Sequence, residues 1–365
     1  MKSQRLLSLD LFRGLTMFLL VAEGTGLYES LHEAAPAGSF GAAMVQQFFH
    51  HPWNGLRFWD LIQPFFMFIV GVAMVFSLER RWEHGESRRQ TTKHILIRCL
   101  TLLAFGVMLH CGYNGRLVWE LWNVLSQLSF TILAAYLIYK LPMRTQLIIS
   151  LALLGLSEFL YRIFWVEGFD QPFTPDHNFG SFMDLVLMGK LNGDHWIAIN
   201  ALPTAAHTIW GVLAGKLLRS NRQSWNKLKP LLIFGVISLV IGYGLDWTGI
   251  TPIIKRTATT SFVFASGGWC LLVLALFYWL VDVRGFKRGV FFFAVVGMNS
   301  IFIYLFSNTV GGQWFNRFVA IFSGGLFAWI GVGAAAVAVL NALTVLVLEW
   351  LLCYWLYKRQ IFFKI

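Results

Sequence analysis

This chain is short of charge. Only 13% of its 365 residues are Asp, Glu, Lys or Arg, while 57% are hydrophobic. With a mean hydropathy of +0.63, that excludes a soluble core, because no soluble fold of this length needs so much apolar surface. Cysteine is sparse too. Cys99, Cys111, Cys270 and Cys353 all fall in or beside apolar runs, and no CxxC pair exists. A disulfide scaffold and a cysteine metal site are thereby excluded, leaving packing thiols. The chain has no HExxH stretch, no glycine-rich phosphate loop, no low-complexity segment and no internal repeat. It also lacks a pair of broken helices at matched positions in two halves, the mark of an inverted-repeat transporter. The first apolar run follows Lys2 and Arg5 without a small-residue cleavage site, so it reads as a retained span rather than a signal peptide.

What the chain does have is apolar runs, each near the ~20 residues that cross a hydrocarbon core. They stand at about 7–27, 60–79, 95–112, 123–140, 146–164, 200–218, 230–246, 260–281, 290–309 and 328–356. The expectation is an all-α polytopic membrane protein with about ten transmembrane helices, one domain over residues 1–365, in contact with the lipid bilayer. Net charge is +11. In a membrane protein that excess reports loop topology, so nucleic acid is not expected as a partner. One set of loops carries 20 of the 29 basic residues, among them Lys2, Arg5, Arg80, Arg81, Arg88, Lys216, Arg284 and Lys364. The other set carries seven. The positive-inside bias then places both termini in the cytoplasm and requires an even number of spans.

The densest polar stretch runs from His50 to Gly71, HHPWNGLRFWDLIQPFFMFIVG. His50, His51, Trp53, Asn54, Arg57 and Asp60 precede an apolar run, and a span needs no such preface. Ionisable groups at the mouth of a membrane helix are costly and mark function by default, although Trp, Arg and His also decorate ordinary membrane interfaces. Adjacent histidines point apart and no acid stands at ligand spacing, so no metal is expected. A working histidine here acts as acid, base or nucleophile. Asp60 is placed to orient it.

Other polar residues stand at or in spans. Asp10 and Arg13 in LDLFRGL are spaced to pair on one helix face. Glu23 in VAEGTG lies at the outer end of that span, on the side where His50 lies. Asn123 and Gln127 share LWNVLSQLSF, His207 stands in ALPTAAHTIWGVLAG, Lys255 and Arg256 in TPIIKRTATTSF, and Asn299 in VVGMNSIFIY. Each is a site candidate by default, against the plainer alternative of helix–helix hydrogen bonding. Lys255 and Arg256 break the charge rule on the outer side and suit an anion or a sugar carboxylate. The 165–199 loop, with Asp170, Asp176, His177, Asp184, Asp194, His195 and several aromatic residues, suits a carbohydrate or another hydroxyl-rich ligand.

These residues resemble a known family. RLLSLDLFRGLTMF followed by HHPWNGLRFWDLIQPFFMFIVGVAM is similar to the paired signature of the heparan-α-glucosaminide N-acetyltransferase family and its bacterial relatives. Asp10, Phe12, Arg13 and Gly14 match the first motif. His50, Trp53, Gly55, Asp60, Leu61, Pro64, Phe66, Phe68 and Gly71 match the second. NVLSQLSF keeps the family glutamine at Gln127, PIIKRTATTSFV keeps its lysine at Lys255, and INALPTAAHTIWGVLAG and GMNSIFIY resemble two later segments. A member of the family carries an asparagine near the end of the first span, where this chain has Glu23 and Gly24.

The resemblance implies a membrane acetyltransferase of the bacterial inner (plasma) membrane. Acetyl-CoA is its acetyl donor, an amino sugar or glycan its acceptor, and His50 its active histidine, being three residues before Trp53. Asp60 and Glu23 are expected beside it as catalytic groups. Trp53, Asn54, Arg13, Gln127, His207, Lys255 and Asn299 are expected to bind substrate or donor, with Lys255 or Asn299 stabilising an oxyanion. The oligomeric state is open, a homodimer among the forms allowed. The competing reading is a secondary transporter of a sugar or small anion, which ten spans and midplane polar residues would serve equally. A purely structural membrane protein is disfavoured by the polar stretch.

Overall fold

The computed structural model describes residues 6–363. Lys2, Arg5 and Lys364, three of the cations behind the sidedness expectation, lie outside the described residues. The chain is helical throughout. From the N-terminal side run α1 (Leu7–Gly24), the short α2 (Leu27–Ala34) and α3 (Phe40–Gln46), then a 3-10 turn, Phe58–Leu61, that leads into α4 (Ile62–Glu83). There follow α5 (Arg88–Asn114), α6 (Val124–Leu137), α7 (Met143–Ile163), the short α8 (Phe179–Met188), α9 (Ala201–Arg219), α10 (Ser224–Trp247) and α11 (Thr260–Phe277), which a π turn extends to Val283. Last come α12 (Val290–Met298), α13 (Ser300–Phe306), α14 (Asn316–Trp329) and α15 (Ala334–Lys358). A π-helical stretch, Ser307–Phe315, joins α13 to α14.

Local chemistry sets the starts. Ser87 and Gln90 form a reciprocal capping box on α5, and the Asn123 side chain accepts from Leu125 and Ser126 N–H groups, both at 3.0 Å, to begin α6. Between helices the interfaces are built on small residues. A Cβ at Gly71 of α4 would run into the Thr208 carbonyl oxygen of α9, and one at Gly211 of α9 into that of Phe68. Gly14 of α1 lies against the backbone of Phe293 in α12 in the same way. In lipid, where apolar burial drives little, such close backbone approach supplies the dispersion contacts that hold helices together.

Among the described residues six helices are long and apolar enough to cross a membrane, or seven if the bent pair Val290–Met298 and Ser300–Trp329 counts as one span. That is fewer than the ten expected, though a helix stands at each expected place. The difference is α1, which carries Asp10, Arg13 and Glu23, α6, which has 14 residues, and α9, which carries His207 and Lys216. The two counts differ where charge or short length intervenes in an apolar run. A second correction concerns residues 290–329. The expected end at 309 is not there; the helical path bends by 73° at Asn299 and then continues to Trp329. The polar SNTVGGQW segment, which reads as a loop, is taken up by the π stretch. The long connections around 28–59 and 165–199 are also more ordered than loops, holding α2, α3 and α8.

Close approach at α4–α9 gives a direct test. Gly211→Ala should lower the thermal midpoint in detergent, by about 1–3 kcal/mol of stability as for other overpacked sites. Gly244→Ala, whose added Cβ meets nothing within 4 Å, should leave it level or higher. Equal responses would remove close approach as the organiser of this pair.

Candidate active site

Asp60 sits in the 3-10 turn with 1% of its surface exposed. Its Oδ1 accepts from His50 Nδ1 at 2.9 Å, and its Oδ2 accepts from the backbone N–H groups of His51 at 3.2 Å and Arg57 at 2.9 Å. Lys255 Nζ stands 3.7 Å from Oδ1 and 3.1 Å from His50 Nδ1. An ionised carboxylate at this distance takes Nδ1–H as a donor, which leaves the ring lone pair on Nε2. Among the described residues no hydrogen bond engages Nε2. Asp60 is thus the orienting member of a histidine–carboxylate dyad, and Lys255 is its counter-charge.

The backbone of residues 50–52 is strapped from both sides. Arg57 Nη1 donates to the His50 carbonyl at 3.0 Å, and Arg256 Nη1 donates to that of His51 at 3.2 Å and to that of Pro52. Gly55, at φ +142°, is needed twice over: a side chain there would be strained, and its Cβ would lie 2.6 Å from His51 Nε2. The His51 ring therefore packs against the turn, with Nδ1 buried and without a partner. Trp196 lies beneath the site. Lys255 and Arg256 stand 5.3 and 5.5 Å from its ring centroid, and His50 meets its edge at 5.4 Å.

These surroundings set the protonation states. Burial, and after it the Lys255 charge, hold His50 down at about 4, against the pull of Asp60 in the other direction. Burial lowers Lys255 to about 8 despite the nearby carboxylates. The His50 side chain still keeps 35% of its surface open. At neutral pH the site therefore offers a neutral imidazole with a free Nε2, the form a base or nucleophile requires.

His50 lines a cavity of about 210 Å³. Its walls come from Leu20 and Glu23 at the end of α1, from Trp59, Ile62, Gln63 and Phe66 at the start of α4, and from Trp122, Asn123, Val124 and Gln127 around the start of α6. Trp196, Lys255 and Tyr304 complete it. Trp59 Nε1 donates to Glu23 Oε1 at 2.8 Å, fixing that carboxylate at the wall. Gln63 bonds Gln127, whose amide donates to Asn200 at 2.6 Å, and Asn200 in turn holds the Arg256 carbonyl at 3.0 Å. Asp184 ties two walls together, accepting from Trp122 Nε1 at 2.6 Å and from the Ala198 N–H at 3.0 Å.

Of the expected site residues, the structure gathers His50, Asp60, Glu23, Gln127 and Lys255. It does not gather the rest. Trp53 holds the 165–199 loop, donating to the Phe173 carbonyl at 2.7 Å and meeting the His195 ring at 6.0 Å. Asn54 is exposed and forms an antiparallel bridge with Ile254. Arg13 pairs with Asp10 at 2.9 Å near the opposite end of α1 from Glu23. His207 is wholly buried with Nε2 2.8 Å from Ser266 Oγ, in the core between α9 and α11. Asn299 clamps the segment after α15, donating to the Ile361 carbonyl and accepting from the Phe363 N–H, both at 3.0 Å. It is no oxyanion donor in this geometry. Sequence reasoning passed over Trp59, Gln63, Trp122, Trp196 and Tyr304. Gln63 alone carried a signal, as the one amide in an otherwise apolar run.

Fold and site together define a polytopic helical membrane protein with a buried histidine–carboxylate dyad facing a small cavity. Residues 5–245 match the family described as heparan-alpha-glucosaminide N-acetyltransferase, catalytic, and the chain belongs to that family. It is 24% identical over 383 residues to the heparan-alpha-glucosaminide N-acetyltransferase of Homo sapiens, covering 85% of this chain and 54% of that protein. Its identity to the protein of the same name from Mus musculus is also 24%, over 366 residues, covering 83% and 53%. The chain thus spans about half the length of the curated relatives it matches.

The electrostatics predict a titration. In histidine-labelled protein, the His50 signal should stay in its neutral form down to about pH 4. Lys255→Met removes a positive charge that disfavours the imidazolium, so it should move the midpoint up, toward the unperturbed value of about 6.5. A wild-type midpoint already at the unperturbed value, unmoved by the substitution, would contradict the assignment.

Proposed function

We propose that this chain is a transmembrane N-acetyltransferase, taking an acetyl group from acetyl-CoA on the cytoplasmic side and passing it to an amine of an amino sugar or related glycan. The observation that carries the reading is the His50–Asp60 dyad at the cavity wall of a chain that belongs to this family. The family name points to a glucosaminide acceptor. Glu23, fixed on the cavity wall by Trp59, is suited to accept a hydrogen bond from the neutral amine of such an acceptor.

At about 210 Å³, the cavity is below the ~300–1,000 Å³ of pockets that enclose whole drug-sized ligands. It fits the reacting ends of two substrates rather than all of acetyl-CoA. The phosphates of the donor would be met by Arg81 and Arg98 at the cytoplasmic end. Arg98 lies within electrostatic reach of Arg13 and Arg81, and its Nε is buried without a partner. When bound, acetyl-CoA supplies an activated acyl group as a thioester. His50 Nε2 takes the proton from the acceptor amine as the nitrogen adds to the thioester carbonyl, and returns it to the departing sulfur. Asp60 holds the ring and balances the transient imidazolium. Lys255, at the cavity wall and charged near neutral pH, offers its ammonium to the developing oxyanion. A variant in which Nε2 first accepts the acetyl group needs the same neutral nitrogen.

The decisive test is His50→Ala against His51→Ala. The first should reduce labelling of an amino sugar from radiolabelled acetyl-CoA by at least the ~10²–10⁴ of a lost general base. The second, whose ring packs on Gly55, should retain most of it. CoA should still raise the thermal midpoint of His50→Ala, because its phosphates are held elsewhere. Activity of His50→Ala within a few-fold of wild type would sink the assignment, and accumulation of unmodified sugar in vesicles would mark a transporter instead.

Sidedness has its own test. Cytoplasmic termini and an outward-facing cavity follow from the charge bias, in a plasma membrane. A cysteine at the exposed Ala37 should react with an impermeant thiol reagent in intact cells, and one at the exposed Ser87 should not. The reverse pattern would overturn transfer across the membrane.

A further inference from the structure

Glu349 lies in α15 with 1% of its surface exposed, and neither carboxylate oxygen has a hydrogen-bond partner. A carboxylate in that position is costly and does not stay ionised alone. Nothing in the acetyl-transfer chemistry uses it. Two other orphaned oxygens lie on the connected π stretch and α14. Ser307 Oγ, on a side chain 3% exposed, has no partner, and neither does the buried Asn316 Oδ1. Ser307 and Glu349 meet beside Gly311, where one point at the Cβ position lies 2.9 Å from Glu349 Oε1 and 3.7 Å from Ser307 Oγ. Both Ser307 and Asn316 are seated on the end of α1. Ser307 Oγ packs on Gly24, and Asn316 Nδ2 donates to the Gly24 carbonyl at 2.7 Å.

The backbone there is the π-helical stretch Ser307–Phe315, and π segments inside α-helices recur at functional sites. Ser307 has one hydroxyl hydrogen to give, which cannot satisfy both carboxylate oxygens, so the Glu349 carboxylate still wants a proton or a cation. Among the described residues no side chain donates a hydrogen bond to the carboxylate. Of the elements packed around it, the π stretch and α12 have no titratable side chain, α1 carries Asp10, Arg13 and Glu23, α2 carries Tyr28, Glu29, His32 and Glu33, and α14 carries Arg317.

We propose that Glu349 and Ser307, beside the π-helical stretch, form an intramembrane site for a monovalent, oxygen-seeking cation of the sodium type, held in competition with a proton. One carboxylate matches one positive charge, whereas calcium collects about 6–8 oxygens and usually more than one carboxylate. Irregular helical backbone beside an acidic residue is also how other membrane proteins hold sodium. The proposal stands apart from the acetyl-transfer reading, because the cluster does not line the His50 cavity.

The test uses the full-length protein in detergent at constant ionic strength, with sodium chloride exchanged for choline chloride. Sodium should raise the wild-type thermal midpoint in a saturable way. Its apparent affinity should fall by about tenfold for each pH unit below the carboxyl titration, because ligand oxygens must be deprotonated. Glu349→Gln should be insensitive to sodium, and Ser307→Ala should weaken the apparent affinity several-fold. Should Glu349→Gln fail to fold, equilibrium binding of radioactive sodium to the wild type, displaced by acid, decides the matter. No sodium effect up to pH 8.5 would show a permanently protonated acid, and an equal effect in wild type and Glu349→Gln a general salt effect; either overturns the site.

Discussion

A carboxylate with 1% of its surface exposed needs donors to remain ionised, and Asp60 has collected them from three parts of the chain. One is the histidine ring, two are backbone N–H groups of the same turn, and the fourth is a lysine about two hundred positions later. Removing any one would leave the others facing a less well compensated charge, at a cost of about 1–3 kcal/mol or more per unsatisfied group. The path of residues 50–57, the docking of the Lys255 segment and the lone-pair direction of His50 are therefore one problem with one solution. The rest of the site is arranged around it. Two arginines strap the carbonyls that the turn leaves free, and Trp196 offers its face to the cations and its edge to the imidazole.

That concentration of charge works only because the surrounding helices hold still. Polar atoms in a low-dielectric interior interact strongly, so small displacements are expensive. The stiffness comes from glycine contacts. Where α4 crosses α9, and where α1 crosses α12, there is no room for even a methyl group between backbones. Glu23 ends α1 and Trp59 stands in the turn that leads into α4, so the fixed crossings and the fixed hydrogen bond at the cavity wall are parts of one frame.

Much of this was legible in residue order. The polar preface before an apolar run and the lone lysine of TPIIKRTATTSF both point to residues the fold brings together, His50, Asp60 and Lys255. Less legible was what the polar residues inside helices do. Trp53 and Asn54 look like binding groups, yet one fastens a loop and the other pairs backbone. His207 and Asn299 look like intramembrane site residues, yet each satisfies a partner that sequence cannot reveal, Ser266 in one case and the Ile361–Phe363 backbone in the other. Periodicity and composition report which face is apolar; they do not report which distant carbonyl needs a donor. The aromatic walls escaped notice for a similar reason. Sixteen tryptophans are spread along the chain, and only the fold singles out Trp59, Trp122 and Trp196.

The clamp at Asn299 has a consequence for the order in which the molecule is made. Its amide sits at a 73° break, and both of its partners belong to residues 361–363. During synthesis α12 and α13 enter the membrane well before that segment is translated. Until it arrives, the bend rests on its own backbone hydrogen bonds and on α1, and the Asn299 side chain lacks both of these partners. The nascent protein therefore passes through a stage in which its first helices are assembled and the α12–α13 corner is unclamped, and a late, short stretch of backbone closes it.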